Sequence, residues 1–191
     1  QEAEYFRDAF LAVQALINKG LIMAGHDISA GGMITALLEM CFANVEGGME
    51  ISLNKLKEED IVKILFAENP GIVIQVKDKH KDEISKLLEE AGVGFVKIGK
   101  PTDERHILVT KGEATYQFGI DYMRDVWYSS SYLLDRKQSM NGCAKKRFVN
   151  FRMQPIETVF APSFKGKFSQ YGIDPDRRTP NGIRAAIIRE K

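Results

Sequence analysis

This 191-residue chain has little cysteine, no long apolar run and a net charge of only +1. Its two cysteines, Cys41 and Cys143, make neither a CxxC pair nor a disulfide framework, which points to a reducing, cytoplasmic setting. No apolar run approaches the roughly 18 residues that a spanning helix requires, so a membrane is not expected as a partner. The first residues show neither the basic start nor the short apolar core of a signal peptide. Internal repeats and low-complexity runs are absent. No second His, Cys or carboxylate stands near His26 at a spacing suited to a transition metal.

The small net charge conceals an asymmetry. Residues 1–139 hold 16 Lys and Arg against 22 Asp and Glu (net −6), and residues 140–191 hold 11 against 4 (net +7). Four of the six prolines (Pro155, Pro162, Pro175, Pro180) also fall in the second part. This shift predicts a boundary near residue 140, with a domain at 1–139 and an extended basic connector at 140–182. The basic part has no dense Lys/Arg block and no regular aromatic interleaving, so it fits an acidic protein surface better than a nucleic acid.

Before residue 140 the patterning alternates. "EAEYFRDAFLAVQALINKG" puts Phe6, Phe10, Val13, Leu16 and Ile17 on one helical face and ends on Gly20. "LIMAG" reads as a buried strand, "GGMITALLEMCFAN" as a helix and "GGMEISL" as a strand. "KEEDIVKILFAE" is an amphipathic helix with acidic residues in its first turn. A turn at Glu68-Asn69-Pro70-Gly71 leads into the strand "GIVIQV", and "DKHKDEISKLLEEAG" is a further helix. "FVKIGK", "RHILVTK" and "ATYQFGI" read as three more strands. "DYMRDVWYSSSYLLDRK" closes the unit as a helix with Met123, Val126, Trp127 and Leu133 inward. Strands that first alternate with helices and then arrive in succession predict an α+β fold, a mixed sheet packed with helices, rather than a doubly wound sheet.

One stretch carries chemistry. In "AGHDISAGGMITALLEM" a His-Asp pair, a serine and two glycines stand between a strand tip and a helix. A helix N-terminus presents unpaired N–H groups and the positive end of the macrodipole, which favour a phosphate. Gly31 and Gly32 would let a phosphate approach the backbone, and Ser29 could donate its hydroxyl to a phosphate oxygen. Asp27 would be repelled by phosphate but suits Mg²⁺, a hard cation that takes carboxylate and phosphate oxygens together. The same letters also fit a plain N-cap at Ser29 or Asp27 with two turn glycines, and no ligand. Cys41, among Leu38, Met40 and Phe42, fits core packing rather than a nucleophile, and Cys143 fits a free thiol.

"HDISAGGMITALLEMCFA", followed by "LFAENPGIVIQV", resembles the C-terminal-type domain of the aminoimidazole ribonucleotide synthetase superfamily. "WYSSSYLLDRKQSMNGCAKKRF", the connector and then "RAAIIREK" are similar to the large phosphoribosylformylglycinamidine synthases, glutamine-dependent ligases of purine biosynthesis. The resemblance implies an enzyme that activates the amide oxygen of formylglycinamide ribonucleotide with ATP. Ammonia from glutamine then displaces phosphate to give the amidine. It further implies a Mg²⁺–ATP (or ADP) half-site with Asp27 as metal ligand and Ser29, Gly31 and Gly32 against the nucleotide. The implied partners are an N-terminal-type ATP-binding domain before Gln1 and a glutaminase domain, whose truncated first strand would be residues 183–191. On that reading the chain is a fragment, holds no complete catalytic site and is not active alone. The family more often has Asp where Ala30 stands, which removes one carboxylate from the motif. Two alternatives remain open: a domain of another superfamily member such as aminoimidazole ribonucleotide synthetase, and a non-catalytic ligand-sensing module.

Overall fold

The structure, a computed structural model, describes residues 2–150 and 159–173. Two compact units make up the chain, Gln1–Arg152 and Met153–Lys191.

In the first unit, helix α1 (Ala3–Asn18) ends where the spacing predicts, with the Gly20 and Leu21 N–H groups turned back onto Ile17 O and Leu16 O. Of its apolar face only Leu16 is buried, and Phe6, Phe10 and Ile17 are each more than half exposed. The surface that receives α1 is small. It consists of Leu21 and two residues of helix α4 (Lys81–Glu90), Ile84 and Leu88, edged by Ile74 and Val76.

Strand β1 (Ile22–Ile28) pairs antiparallel with β3 (Gly71–Val76), so that Asp27 lies opposite Ile72 and Ile28 opposite Gly71. The pair forms a sheet of its own. For that reason β1 is largely exposed, not buried as its short apolar run suggests. The other four strands, β2 (Gly48–Ser52), β4 (Gly99–Thr102), β5 (His106–Lys111) and β6 (Ala114–Gly119), form a mixed sheet in the order β4-β2-β5-β6. Only β2 and β5 run parallel. The fold is thus α+β, with six strands among the described residues divided over two sheets. β4 starts later than "FVKIGK" predicts: its residues paired with β2 run from Thr102 back to Gly99, opposite Ile51, and before them Ile98 only accepts one bond from the Ser52 N–H. It is also an edge strand, which accommodates Pro101 and its missing N–H.

Helix α2 (Gly32–Phe42) is the centre of the unit. Met33, Ile34, Leu37, Cys41 and Phe42 enter a core with Ile51, Leu53, Ile107, Val109, Leu65 of helix α3 (Ile61–Phe66) and Ile120 of helix α5 (Ile120–Gln138). Burying side chains of this size contributes roughly 1.5–3 kcal/mol each. Arg105 clamps the far end of α2, donating to Cys41 O (3.1 Å), Gly47 O (3.3 Å) and Asp121 Oδ1 (3.1 Å). Burial pushes the Cys41 thiol up and the Arg105 guanidinium partly offsets that, which agrees with a packing role.

On α5 the expectation needs correction. Met123 is partly covered, whereas Val126, Trp127 and Leu133 are each about half exposed. Arg124, not an apolar residue, is the buried side chain beside Ile120. The reason is helix α6 (Cys143–Asn150), which lies on α5 inside the stretch that composition marks as extended. The Arg124 guanidinium lies over the rings of Tyr128 (5.0 Å) and Phe148 (5.6 Å) and donates to Phe148 O. Tyr132 stacks on Phe148 at 4.8 Å, and Arg147 pairs with Asp135. Among the described residues, no helix is long and apolar enough to cross a membrane.

In the second unit, residues 159–173 form turns and a 3-10 helix, Phe168–Tyr171. Phe164 sits 5.0 Å from Phe160 and 6.0 Å from Tyr171, and Gln170 bonds Ser163 O and the Lys165 N–H. The expected strand at 183–191 lies outside the described residues.

Candidate functional site

The pairing of β1 with β3 carries the His26-Asp27 pair to the tip of a two-stranded ribbon, and the chain then turns directly into α2. Gly31 and Gly32 make that turn, with φ of 83° and 74°. An L side chain is strained at such angles, and here it would also collide. A Cβ at Gly31 would run into the Thr35 hydroxyl, which donates to Gly31 O. A Cβ at Gly32 would stand 2.6 Å from Leu65 O and 2.7 Å from Phe66 Cα, so α2 can begin against the end of α3 only with glycine there.

No side chain caps α2; its N-cap is Gly31. The plain-cap reading of Ser29 or Asp27 is therefore not what the structure adopts. Both side chains remain exposed at the tip, the Asp27 carboxylate at 72%. The expectation of free N–H donors is corrected at two positions: Gly31 N–H donates to Glu68 Oε1 at 2.8 Å, and Gly32 N–H to Ser29 O at 3.0 Å. Gly32 is also buried, so what it provides is the close packing of α2 on α3. The accessible set is thus Asp27, Ser29 and Gly31, with Glu68 held against Gly31.

Two groups of residues escape a reading of the motif alone. Glu68 belongs to the turn before β3, and reaches Gly31 only because β3 pairs with β1. The second group lies behind the tip. His26 Nδ1 is 2.8 Å from Asp27 O, and since a carbonyl can only accept, that nitrogen donates. His26 Nε2 stands 3.0 Å from Glu39 Oε2, and Glu39 Oε1 accepts the Trp127 Nε1–H at 2.8 Å. Trp127 in turn packs its ring 5.3 Å from that of Phe42. Helical spacing places Glu39 on α2 two turns past Gly31, but its partners on β1 and α5 are invisible without the fold.

The donor chemistry suits a cation that brings its own ligands. Among the described residues, no group of three or more His, Cys, Asp and Glu side chains could hold a metal unaided. Asp27 offers hard oxygens to solvent, and Mg²⁺ is held in this manner, by one or two carboxylates plus waters and substrate phosphates. The residues therefore fit a shared Mg²⁺–phosphate site rather than a closed metal centre.

Comparison with known proteins identifies the family and the fold. A family model described as "AIR synthase related protein, C-terminal domain" matches residues 1–111, more than half of the chain. The chain is 30% identical over 189 residues to phosphoribosylformylglycinamidine synthase of Homo sapiens, covering 96% of this chain and 14% of that protein. It is 31% identical over 196 residues to a probable phosphoribosylformylglycinamidine synthase, chloroplastic/mitochondrial, of Arabidopsis thaliana, covering 100% of this chain and 13% of that one. The chain thus spans about a seventh of these relatives' length. Among solved structures, T. maritima PurL complexed with ATP superimposes with a TM-score of 0.54 at 14% identity, over 59% of this chain and 20% of that chain. At that identity the likeness speaks to the fold, which is the same α+β arrangement. The chain belongs to the AIR synthase related protein C-terminal domain family.

Proposed function

We propose that this chain is part of an ATP- and glutamine-dependent ligase that converts formylglycinamide ribonucleotide to the amidine in purine biosynthesis, and that it contributes one wall of a Mg²⁺–nucleotide site. The observation that carries the reading is the exposed, uncapped Asp27-Ser29-Gly31 turn at the head of α2, in a chain of this family. The long relatives bearing the synthase name support the wider activity.

In this reading Asp27 supplies a carboxylate oxygen to Mg²⁺, and the Ser29 hydroxyl donates to a phosphate oxygen. The Gly31 N–H becomes available to a second phosphate oxygen when Glu68 swings away. Bound Mg²⁺ supplies neutralising charge to the phosphates. Gly32 holds the turn's shape. Ala30, where the family more often carries Asp, adds no charge of its own. An N-terminal-type ATP-binding domain forms the opposite wall, and the stretch after Arg152 connects to a glutaminase domain in the cytoplasm.

Asp27→Asn in the full-length polypeptide tests the half-site. An amide oxygen is a poorer Mg²⁺ ligand than a carboxylate, so Mg²⁺-dependent nucleotide retention is expected to fall about tenfold or more. The melting temperature is expected to stay within about 2 °C, because the side chain is exposed at a strand tip. Nucleotide titrations with and without Mg²⁺, alongside thermal melts, read both quantities. Normal retention with a much lower melting point would make Asp27 a structural residue and sink the proposal.

A further inference from the structure

We infer that Glu39, acting through His26, is a positioning residue for the Asp27 carboxylate, an inference that rests on the half-site reading above. Asp27 is exposed and sits at the end of a two-stranded ribbon, a location that offers a carboxylate little reason to keep one orientation. His26 supplies that reason. Its Nδ1 donates to the Asp27 carbonyl at 2.8 Å and lies 3.6 Å from the Asp27 carboxylate. One imidazole thus fixes the Asp27 backbone by a hydrogen bond, and the carboxylate of the same residue lies beside it, beyond hydrogen-bond length.

The imidazole is itself held. Nε2 stands 3.0 Å from Glu39 Oε2, and the other oxygen of Glu39 is fixed by the Trp127 indole N–H at 2.8 Å. Glu39 is only 26% exposed, and Trp127 is braced on Phe42, which is buried in the central core. A chain of three polar contacts therefore connects the tip of β1 to the middle of α2 and to α5. Those helices share the core that also sets the position of the Gly31 turn, so the carboxylate and the turn are referenced to the same packed residues. Groups that orient a ligating side chain from behind commonly change metal affinity about 10–100-fold when removed.

The substitutions that separate this from a packing role are isosteric. Glu39→Gln can still accept from Trp127 through its amide oxygen, and its amide N–H can donate to Nε2 where the carboxylate can only accept, so both contacts are kept with the second reversed in direction. Glu39→Met fills the same space and breaks both contacts. In the full-length polypeptide, Glu39→Met is expected to raise the Mg²⁺ concentration for half-maximal nucleotide retention about tenfold. Metal-independent nucleotide binding should not move, and Glu39→Gln should stay within about twofold of wild type. A residue that merely stabilised the fold would weaken both kinds of binding together, and either that pattern or an unchanged Mg²⁺ requirement would overturn the inference. Should Glu39→Met melt too low to be read, Trp127→Phe deletes one N–H and keeps a ring. A shift of about threefold is expected for it, and no shift counts against the inference. Asp27→Asn serves as the reference: if it leaves retention intact, the half-site reading falls and this inference with it. If it reduces retention while the Glu39 and Trp127 variants do not, only the inference is lost.

Discussion

At the scale of single residues, the glycine pair and the carboxylates around it divide the work. Gly31 and Gly32 are required by backbone angle and by contact with Thr35, Leu65 and Phe66, whether or not a ligand binds. Gly32→Ala combines left-handed backbone strain with overlap onto the backbone of α3, and is expected to destabilise the fold by roughly 2–5 kcal/mol. Gly25→Ala is the control, since its Cβ would meet nothing closer than 3.4 Å, and it should cost less than about 1 kcal/mol. Urea unfolding measures both, and equal effects would mean that the turn relaxes freely. Asp27 and Ser29, by contrast, hold up no part of the core, which leaves them free to serve a ligand. Glu68 occupies the Gly31 N–H in the way an anion would, and any phosphate must compete with it.

At the scale of elements, α5 and α6 form the clamp that composition conceals. Arg147 donates to both oxygens of Asp135, and the Ser139 hydroxyl adds a third contact. The Arg147 bond, then the Ser139 bond, hold the Asp135 carboxyl below its usual range. A carboxyl with a lower pKa in the folded chain stabilises the fold above its unfolded pKa of about 3.9, and that contribution is lost as pH falls through the lower folded value. The gap in melting temperature between wild type and Asp135→Asn should therefore be steady above about pH 5 and close below about pH 4. A gap that survives at about pH 2 would show that the charge of Asp135 is not what holds α6. The aromatic contacts of Phe148 with Tyr128 and Tyr132 supply the remainder of the clamp.

At the scale of the whole molecule, the compact first unit extends to Arg152 and takes in α6, and Lys145 and Lys146 lie within that helix. Lys165 and Lys167 belong to the second unit, exposed among turns. Brief trypsin treatment should thus cut after Lys165 or Lys167 well before Lys145 or Lys146, because a helix must open locally to enter the protease. Mass spectrometry of the first products decides the order, and early cleavage within α6 would detach that helix from the first unit. The family assignment concerns residues 1–111, which end with β5. The neighbouring β6, α5 and α6 are joined to that region by the β5–β6 ladder, by Ile120 in the core and by the α5–α6 clamp.

Much of this was legible in the letters, for a physical reason: helix period, turn residues and end signals are local. They located α1, α2, α4 and α5, and they marked Asp27, Ser29, Gly31 and Gly32 as a strand-to-helix turn. Pairing and burial are not local. Nothing in "LIMAG" says that β1 and β3 stand apart from the other four strands, and nothing in "FVKIGK" says that its pairing with β2 begins at Gly99. α6 is a short, strongly basic segment that reads as connector until Arg124 meets Phe148 and Asp135 meets Arg147, across 24 and 12 residues of chain. The same holds at the site. The residues proposed to face a ligand adjoin one another in sequence, so their chemistry could be read directly. Glu68, 37 residues from Gly31, and Trp127, 88 residues from Glu39, gain their roles only from the way the strands and helices pack, because a hydrogen bond depends on distance in space and not along the chain.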